Sequence, residues 1–319
     1  MNDIELSIIT PCYNEELNIV EWLTRVDATV KNMKVNYEII VVDDGSSDNT
    51  AMILENLSNK FNKLKYIILS QNRGQTIAIS AGVDHSVGKY IIIMDSDLQH
   101  LPEEIPILYN KILSGYDMIS GKRKNRSESF FLRRFPSFVA NFLIRCATGC
   151  KIYDQGGFKC IKGDIARKIC FKSGFHRFIP AIVYQMGGYI GEVEITAPKR
   201  IKGKSNYGIN RSIEVLLDIL MLWFESSGKS RPLYFMGKIS FYIFLISTGI
   251  IFWLILEKSI YGYPVSQRPP FYFSIFLYVV SFLVFLQALV LEFLSGIYKK
   301  SINNKGYIIK SHNFKNVSL

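Results

Sequence analysis

Two long uncharged runs near the C-terminal end constrain this chain more than any other feature. Ile239 to Leu256 contains no charged residue. Phe271 to Leu291 contains none either, and Gln287 is its only strongly polar side chain. A bilayer's hydrocarbon core is crossed by roughly 20 predominantly apolar residues, and both runs fit that length. The competing reading is a pair of buried core helices; runs this long without a charge favour spans. The segment between them, Glu257 to Pro270, is short and carries Tyr261, Tyr263, Pro264 and Pro269. That composition predicts a tight hairpin with interfacial aromatics.

The basic residues give an orientation. Lys229, Arg231 and Lys238 precede the first run, and Lys299, Lys300, Lys305, Lys310 and Lys315 follow the second, against only Lys258 and Arg268 between them. The positive-inside rule then predicts a multi-pass protein of the cell (inner or plasma) membrane with both termini cytoplasmic. The N-terminus opens with Asp3 and Glu5 and runs directly into a strand-like segment, unlike a signal peptide. A net charge of +11 raises the question of a nucleic-acid partner, but no compact nucleic-acid module is present. Much of the basic charge lies between Lys122 and Lys238, interleaved with aromatics, and suits anionic headgroups or a phosphorylated lipid. Cys12, Cys146, Cys150, Cys160 and Cys170 include no CxxC pair, and His85, His100, His176 and His312 include no metal-spaced pair. A disulfide framework and a zinc site are therefore not expected, and each histidine reads as a surface or packed residue.

The first part of the chain alternates strand and helix. Leu6 to Thr10, Glu38 to Val42, Tyr66 to Leu69 and Tyr90 to Met94 are short, nearly continuous apolar runs. Between them lie a helical stripe of Ile19, Leu23, Val26 and Val30 and a second helix over Gln75 to Val87. Strands apolar on both faces, alternating with helices, predict a doubly wound α/β domain with a parallel sheet. Ligands bind such sheets beyond the carboxyl ends of the strands, where Asp43/Asp44 and Asp95/Asp97 both fall. Further on, Phe130 to Phe142 interleaves with Arg133, Arg134 and Arg145, and Ile209 to Phe224 has a wide apolar face. Both stretches read as helices in a membrane interface, or else as amphipathic helices packed on the domain.

Asp95-Ser96-Asp97 follows a buried-type strand. Two carboxylates one residue apart can both reach a hard divalent cation that also binds substrate phosphates. Such triplets also arise as turns and caps; here the preceding strand and the helix start at Pro102 strengthen the chemical reading. Pro11-Cys12-Tyr13-Asn14-Glu15 offers an aromatic ring to stack on a base, with a carboxylate nearby; alternatively Asn14 is a helix cap. Asp43-Asp44 could hold a ribose or a base edge, or form a turn leading to an N-cap at Asp48.

Taken together, Ser7 to Glu15, Val42-Asp43-Asp44-Gly45-Ser46-Ser47-Asp48, Asn72-Arg73-Gly74 and Met94-Asp95-Ser96-Asp97-Leu98-Gln99-His100 resemble family 2 glycosyltransferases of the GT-A fold. Leu98-Gln99, Pro102-Glu103 and the C-terminal hairpin make the chain similar to the polyprenyl-phosphate branch, which contains dolichol-phosphate mannose synthases and undecaprenyl-phosphate glucosyl- and aminoarabinosyl-transferases. The resemblance covers about residues 5 to 295. It implies a Rossmann-like GT-A domain with a mostly parallel sheet over 1–208, an amphipathic juxtamembrane helix over 209–232, a transmembrane hairpin over 233–292 with spans at about 235–256 and 271–292, and a basic cytoplasmic tail over 293–319.

The resemblance also implies roles. Pro11, Tyr13, Glu15 and Asp44 would contact the nucleotide, together with Asp95. Asp95, Asp97 and Gln99 would sit at a Mg2+ or Mn2+ ion and the diphosphate, with Asp95 and Asp97 the catalytic pair. Arg123 matches an arginine near the phosphates, and Arg133 and Ser137 match residues that hold the acceptor phosphate. Arg200 opens an R-x-x-G-x-S-K pattern whose closing lysine is Asn206 here; Lys204 is placed to supply that charge. Asp154, ahead of Gly156-Gly157-Phe158-Lys159, would lie near the sugar. A lipid monophosphate with a second pKa near ~6 is already anionic at neutral pH, so it needs positioning by cations more than a general base.

The expected activity is therefore an inverting transfer of a hexose, UDP-glucose first among the donors, to a polyprenyl (undecaprenyl or dolichyl) phosphate. The partners are a nucleotide-sugar, a polyprenyl-phosphate lipid and a membrane, with no nucleic acid; the spans could pack on their own copies as a homo-oligomer. Two alternatives are carried. A processive polysaccharide synthase would show a Q-x-x-R-W motif, which is not found. A non-catalytic scaffold binding lipid-linked sugar would not need the Asp95/Asp97 pair.

Overall fold

The computed structural model describes residues 4–124, 149–150, 156–171, 174–196, 232–301 and 307–314. It divides into two compact units, Met1–Trp223 with Gly306–Leu319, and Phe224–Lys305. The two amphipathic stretches expected at 130–142 and 209–224 lie outside the described residues.

The first unit is built on an eight-stranded sheet. Its elements in chain order are β1 (Leu6–Cys12), α1 (Ile19–Asn32), β2 (Tyr37–Asp43), α2 (Thr50–Ser58), β3 (Leu64–Leu69), α3 (Gln75–Asp84), β4 (Tyr90–Ile93), a 3-10 turn (Pro102–Glu104) leading into α4 (Ile105–Ile112), and β5 (Met118–Lys124). These are followed by β6 (Lys159–Lys162), α5 (Gly163–Ala166), a 3-10 turn (Phe175–Phe178) leading into α6 (Ile179–Gln185), and β7 (Ile190–Thr196). The strand order is β7-β5-β6-β4-β1-β2-β3-β8, where β8 (Ile309–His312) comes from the far end of the chain. β1 pairs in parallel with both β2 and β4, β2 with β3, and β5 with β7; β6 runs against β4 and β5, and β8 against β3. This is the mostly parallel, helix-covered sheet that the resemblance implies.

The apolar runs alternate between two cores because successive strand side chains point to opposite faces. Ile8, Ile39, Val41 and Ile92 pack with Trp22 and Leu23 of α1 and Leu108 of α4. Ile9, Ile40, Val42 and Ile93 pack with Ala78, Ile79 and Ala81 of α3 and Ile179 of α6. The chain steps outward from β1 to β3 and then returns to place β4 on the other side of β1. The carboxyl ends of β1 and β4 thus flank a topological switch point, where open α/β sheets leave a crevice.

The tail after the second apolar run is not only a basic extension. Residues 309–312 add a strand to the outer edge of β3, and Asn313 brackets that edge with its amide. Its Oδ1 accepts from Tyr66 N at 2.8 Å and its Nδ2 donates to Leu64 O at 3.1 Å.

In the second unit, α7 (Pro232–Tyr261) and α8 (Pro269–Ser301) pair with each other. Leu233–Tyr261 and Pro269–Leu294 are long and apolar enough to cross a membrane, and only 17% of the most apolar stretch of each is buried. A core helix would be mostly buried, and these present side chains such as Phe252, Trp253 and Phe282 outward. Buried residues repeat every seven positions on each helix, Ser240, Ser247 and Leu254 on α7 and Ser274, Ser281 and Ala288 on α8, with Ser240 against Ser281 and Ser247 against Ser274. Ser240 Oγ donates to Ser281 O at 2.8 Å, Ser281 Oγ returns a bond to Ser240 O at 2.9 Å, and Ser247 Oγ donates to Ser274 O at 2.6 Å. Small residues let the backbones approach, and the hydroxyls bind across the gap. At the turn, Glu257 pairs with Arg268, whose guanidinium lies 4.8 Å from the centre of the Tyr263 ring.

Candidate active site

Two loops at the switch point are laced together by side chains. After β1 the chain turns through Asn14, whose φ of +54° is a left-handed value that Asn tolerates. Asn14 N donates to Ser46 Oγ at 2.9 Å, and Asn14 Oδ1 accepts from Ser47 N at 2.9 Å. Asn14 is therefore not a helix cap: α1 begins at Ile19 with Asn18 in the cap position, and the amide joins the β1 loop to the β2 loop. Glu15 N and Glu16 N complete the seam by donating to Thr50 Oγ1 and Asp48 Oδ2. Asn49 holds the backbone cap position of α2 without a side-chain bond, and Asp48 supplies the capping oxygen, its Oδ1 accepting from Thr50 N at 2.9 Å, as the cap reading of the sequence has it. The outcome is a fixed platform on which Tyr13 is 46% exposed, while Pro11 is buried.

Asp43 and Asp44 are both buried at the end of β2. Asp43 accepts from Ser46 N and Ser46 Oγ. Asp44 Oδ1 accepts from Arg73 N and Oδ2 from Gly74 N, each at 2.8 Å. Burial pushes both carboxyl groups above the ordinary aspartate range, and these hydrogen bonds offset part of the rise. A carboxylate offers about four lone-pair sites, so Asp44 keeps acceptor capacity for a ligand donor.

The end of β4 carries the DSD triplet. Asp95 Oδ1 accepts from Gln75 Nε2, the first residue of α3, at 2.7 Å, and its Oδ2 lies 3.8 Å from His100 Nε2. Ser96 is buried and its Oγ reaches Pro11 O at 3.4 Å, which ties this loop to the β1 loop. Leu98 has φ +59°, a left-handed value that costs a branched apolar side chain energy. Its side chain is buried among the α1 and α4 residues, and the kink lets Gln99 N turn back to Asp97 Oδ1 at 3.1 Å. Gln99 thus orients Asp97 through its backbone. Glu103, just beyond, takes a paired bond from Arg25 of α1 at 2.8 and 2.9 Å. That guanidinium holds the Glu103 carboxyl below the usual range.

Asp95 and Asp97 fit a hard divalent cation. Both are oxygen donors, and no cluster of three or more His, Cys, Asp or Glu closes a metal cage among the described residues. Mg2+ and Mn2+ are commonly held this way, by one or two carboxylates with substrate phosphates filling the other positions.

Of the residues expected at the site, Pro11, Tyr13, Glu15, Asp44, Asp95, Asp97 and Gln99 fall on the β1, β2 and β4 loops at one edge of the sheet. Arg123 lies near the end of β5, which runs in the same direction as β4, so it shares that edge. Arg133, Ser137, Asp154, Arg200, Lys204 and Asn206 lie outside the described residues. Sequence reading missed Gln75, quoted Gly157 only as part of the motif near the sugar, and took His100 for an ordinary packed histidine. His100 and Gly157 each stand inside a quoted motif, so their positions were the available signal; Gln75 meets Asp95 only through the fold.

The chain is 32% identical over 315 residues to a dodecaprenyl-phosphate galacturonate synthase of Rhizobium johnstonii, covering 97% of this chain and 93% of the relative. It is 35% identical over 261 residues to an undecaprenyl-phosphate 4-deoxy-4-formamido-L-arabinose transferase of Shewanella sediminis, covering 81% and 76%. A crystal structure of glucosyl-3-phosphoglycerate synthase from Mycobacterium tuberculosis, in complex with Mn2+, UDP and glucosyl-3-phosphoglycerate, superposes with a TM-score of 0.54 at 16% identity, covering 70% of this chain and 80% of that one. At that identity the likeness speaks for the fold alone. The model of glycosyl transferase family 2 matches residues 7–179, more than half of the chain and every loop of the crevice described above. On that match, and on near full-length relatives, this chain belongs to glycosyl transferase family 2.

Proposed function

We propose that this enzyme transfers a sugar from a nucleotide-sugar to the phosphate of a polyprenyl phosphate, inverting the anomeric centre, at the cytoplasmic face of a membrane. The observation that carries the reading is the relative from Rhizobium johnstonii. Its name gives dodecaprenyl phosphate as the acceptor, and the match runs over 97% of this chain, carboxylate pair and apolar helices included.

The division of labour follows from the residues. Tyr13 offers a face for the base, and Asp44 an acceptor for a donor group of the nucleoside. Asp95 and Asp97 hold Mg2+ or Mn2+, which when bound neutralises the diphosphate leaving group. As the resemblance implies, Arg123, Arg133, Ser137, Arg200 and Lys204 are assigned to the acceptor phosphate and Asp154 to the sugar region. The acceptor is already anionic at neutral pH, with a second pKa near ~6, so the cations position it and screen it from the donor.

The strand pairing adds a topological constraint to the proposed membrane reading. β8 follows the apolar helices in sequence, yet it pairs with β3, which precedes them. Helices that cross a membrane between these strands must enter and leave on the same side. By the positive-inside rule, the lysines after α8 favour the cytoplasm as that side. The catalytic domain then spans 1–208, the juxtamembrane helix 209–232, the hairpin 233–292 and the tail 293–319, with β8 returning within that tail.

The donor panel that tests the reading pairs UDP-glucose with nucleotide donors of galacturonate and 4-deoxy-4-formamido-L-arabinose, the sugars in the relatives' names. Purified protein in detergent, short-chain polyprenyl phosphate and Mg2+ or Mn2+ should give sugar-modified lipid from one donor by mass spectrometry. Tight nucleotide binding without transfer from any donor would point to a different acceptor.

A further inference from the structure

The loop that enters α3 touches both acidic loops of the site. Arg73 N and Gly74 N bind the two oxygens of Asp44 on β2, and the next residue, Gln75, sends Nε2 to Asp95 Oδ1 beyond β4 at 2.7 Å. Thr76, buried, is then fixed from the other side: its Oγ1 lies 3.0 Å from His176 Nδ1 and accepts from His176 N at 3.3 Å. Four consecutive residues thus tie together β2, the β4 loop and the turn before α6. The chemistry of the amide matters at position 75. A carboxylate there would repel Asp95 or draw the cation to itself, and an ammonium would compete with the cation. A neutral amide N–H orients one Asp95 oxygen and leaves the group its full charge.

We propose that Gln75 is a positioning residue for the metal site: it fixes the Asp95 carboxylate for the cation, and through Gly74 and Arg73 it couples that carboxylate to Asp44. This rests on the reading of Asp95 as a metal-binding carboxylate. Partners that orient metal-binding side chains commonly change metal affinity or activity by about 10- to 100-fold when removed, and an effect of that size is expected here.

The test is Mn2+ binding to the full-length protein in detergent in the presence of UDP, read from the loss of the free Mn2+ paramagnetic resonance signal. Gln75→Met removes the donor at similar length. Gln75→Ala is the companion variant, because alanine favours the start of α3. In a folded variant the Mn2+ dissociation constant should rise about tenfold or more, and any sugar-transfer rate should recover towards the wild-type value at saturating Mn2+. An unchanged thermal midpoint with the weakened Mn2+ affinity separates positioning from general damage. Folded variants that bind Mn2+ as the wild type does would overturn the inference and leave the reading of Asp95 standing. A wild-type protein that fails to bind Mn2+ with UDP would overturn that reading, and this inference with it.

Discussion

Gly157 stands directly against Asp95. A Cβ at position 157 would lie 2.6 Å from Asp95 Oδ2 and 3.2 Å from His100 Nε2. Real Cβ atoms do not approach oxygen that closely, so the carboxylate or the strand end must move to admit one. Gly157→Ala should leave a folded protein, since overpacking typically costs about 1–3 kcal/mol. It should also cut kcat/KM by about tenfold or more, because misplacing a reacting group by about 1 Å can cost 100-fold. Steady-state kinetics beside thermal unfolding check this; wild-type kinetics in the variant would show that Asp95 tolerates the shift.

The Asn313 amide replaces the hydrogen-bond partners that the edge of β3 lacks beyond β8. Asn313→Ala leaves Tyr66 N and Leu64 O without those partners and should destabilise the catalytic domain by about 1–3 kcal/mol. Truncation after Lys305 removes β8 entirely and exposes the edge, so a lower unfolding midpoint and aggregation are expected. Denaturant unfolding of the two variants measures the effect, and a truncated protein as stable and soluble as the full chain would contradict it.

Asp43 and Asp44 give the stability a pH dependence of defined sign. Burial raises both carboxyl groups in the folded state, so between the ordinary aspartate value and the raised folded value the native protein holds more protons than the unfolded chain. Stability therefore falls as pH rises through that window. The contribution is fully present below the ordinary aspartate pKa of about 3.9 and lost above the folded one. Asp44→Asn removes one such group, so its unfolding midpoint relative to wild type should rise as pH is raised through this window. A difference independent of pH would count against the assignment.

Ser247 is fully buried between α7 and α8, where a small side chain sets the helix spacing. Ser247→Leu should separate the helices and lower the thermal midpoint of the detergent-solubilised protein. Ser247→Ala should change it little, because interhelical hydroxyl bonds in membranes average about 0.6 kcal/mol. Equal midpoints for the two variants would show that the seam does not govern the pairing.

The sequence made β1 to β4 and the DSD loop legible for one reason: each strand is a continuous apolar run that stops at polar or turn residues, so its carboxyl end and the acids there can be located. Legibility ended where partners are distant. β8 is a four-residue strand, Ile309–His312, with too short a pattern to announce itself, and Asn313 bonds Tyr66 across 247 residues. The Gln75–Asp95 bond likewise spans a helix and a strand. Asn14 looked like a helix cap because caps and loop bridges use the same short amide; its left-handed backbone and Ser47 decide between them.

The most direct test of the account is the lipid product itself. Wild-type protein and Asp97→Asn, matched for folding by thermal unfolding, are incubated with the nucleotide-sugar panel, short-chain polyprenyl phosphate and Mn2+, with and without EDTA. The account predicts a sugar-modified polyprenyl phosphate from the wild type that EDTA abolishes and that Asp97→Asn does not form. Equal product from the variant, or product that survives EDTA, would contradict the claim that the Asp95 and Asp97 carboxylates carry the transfer.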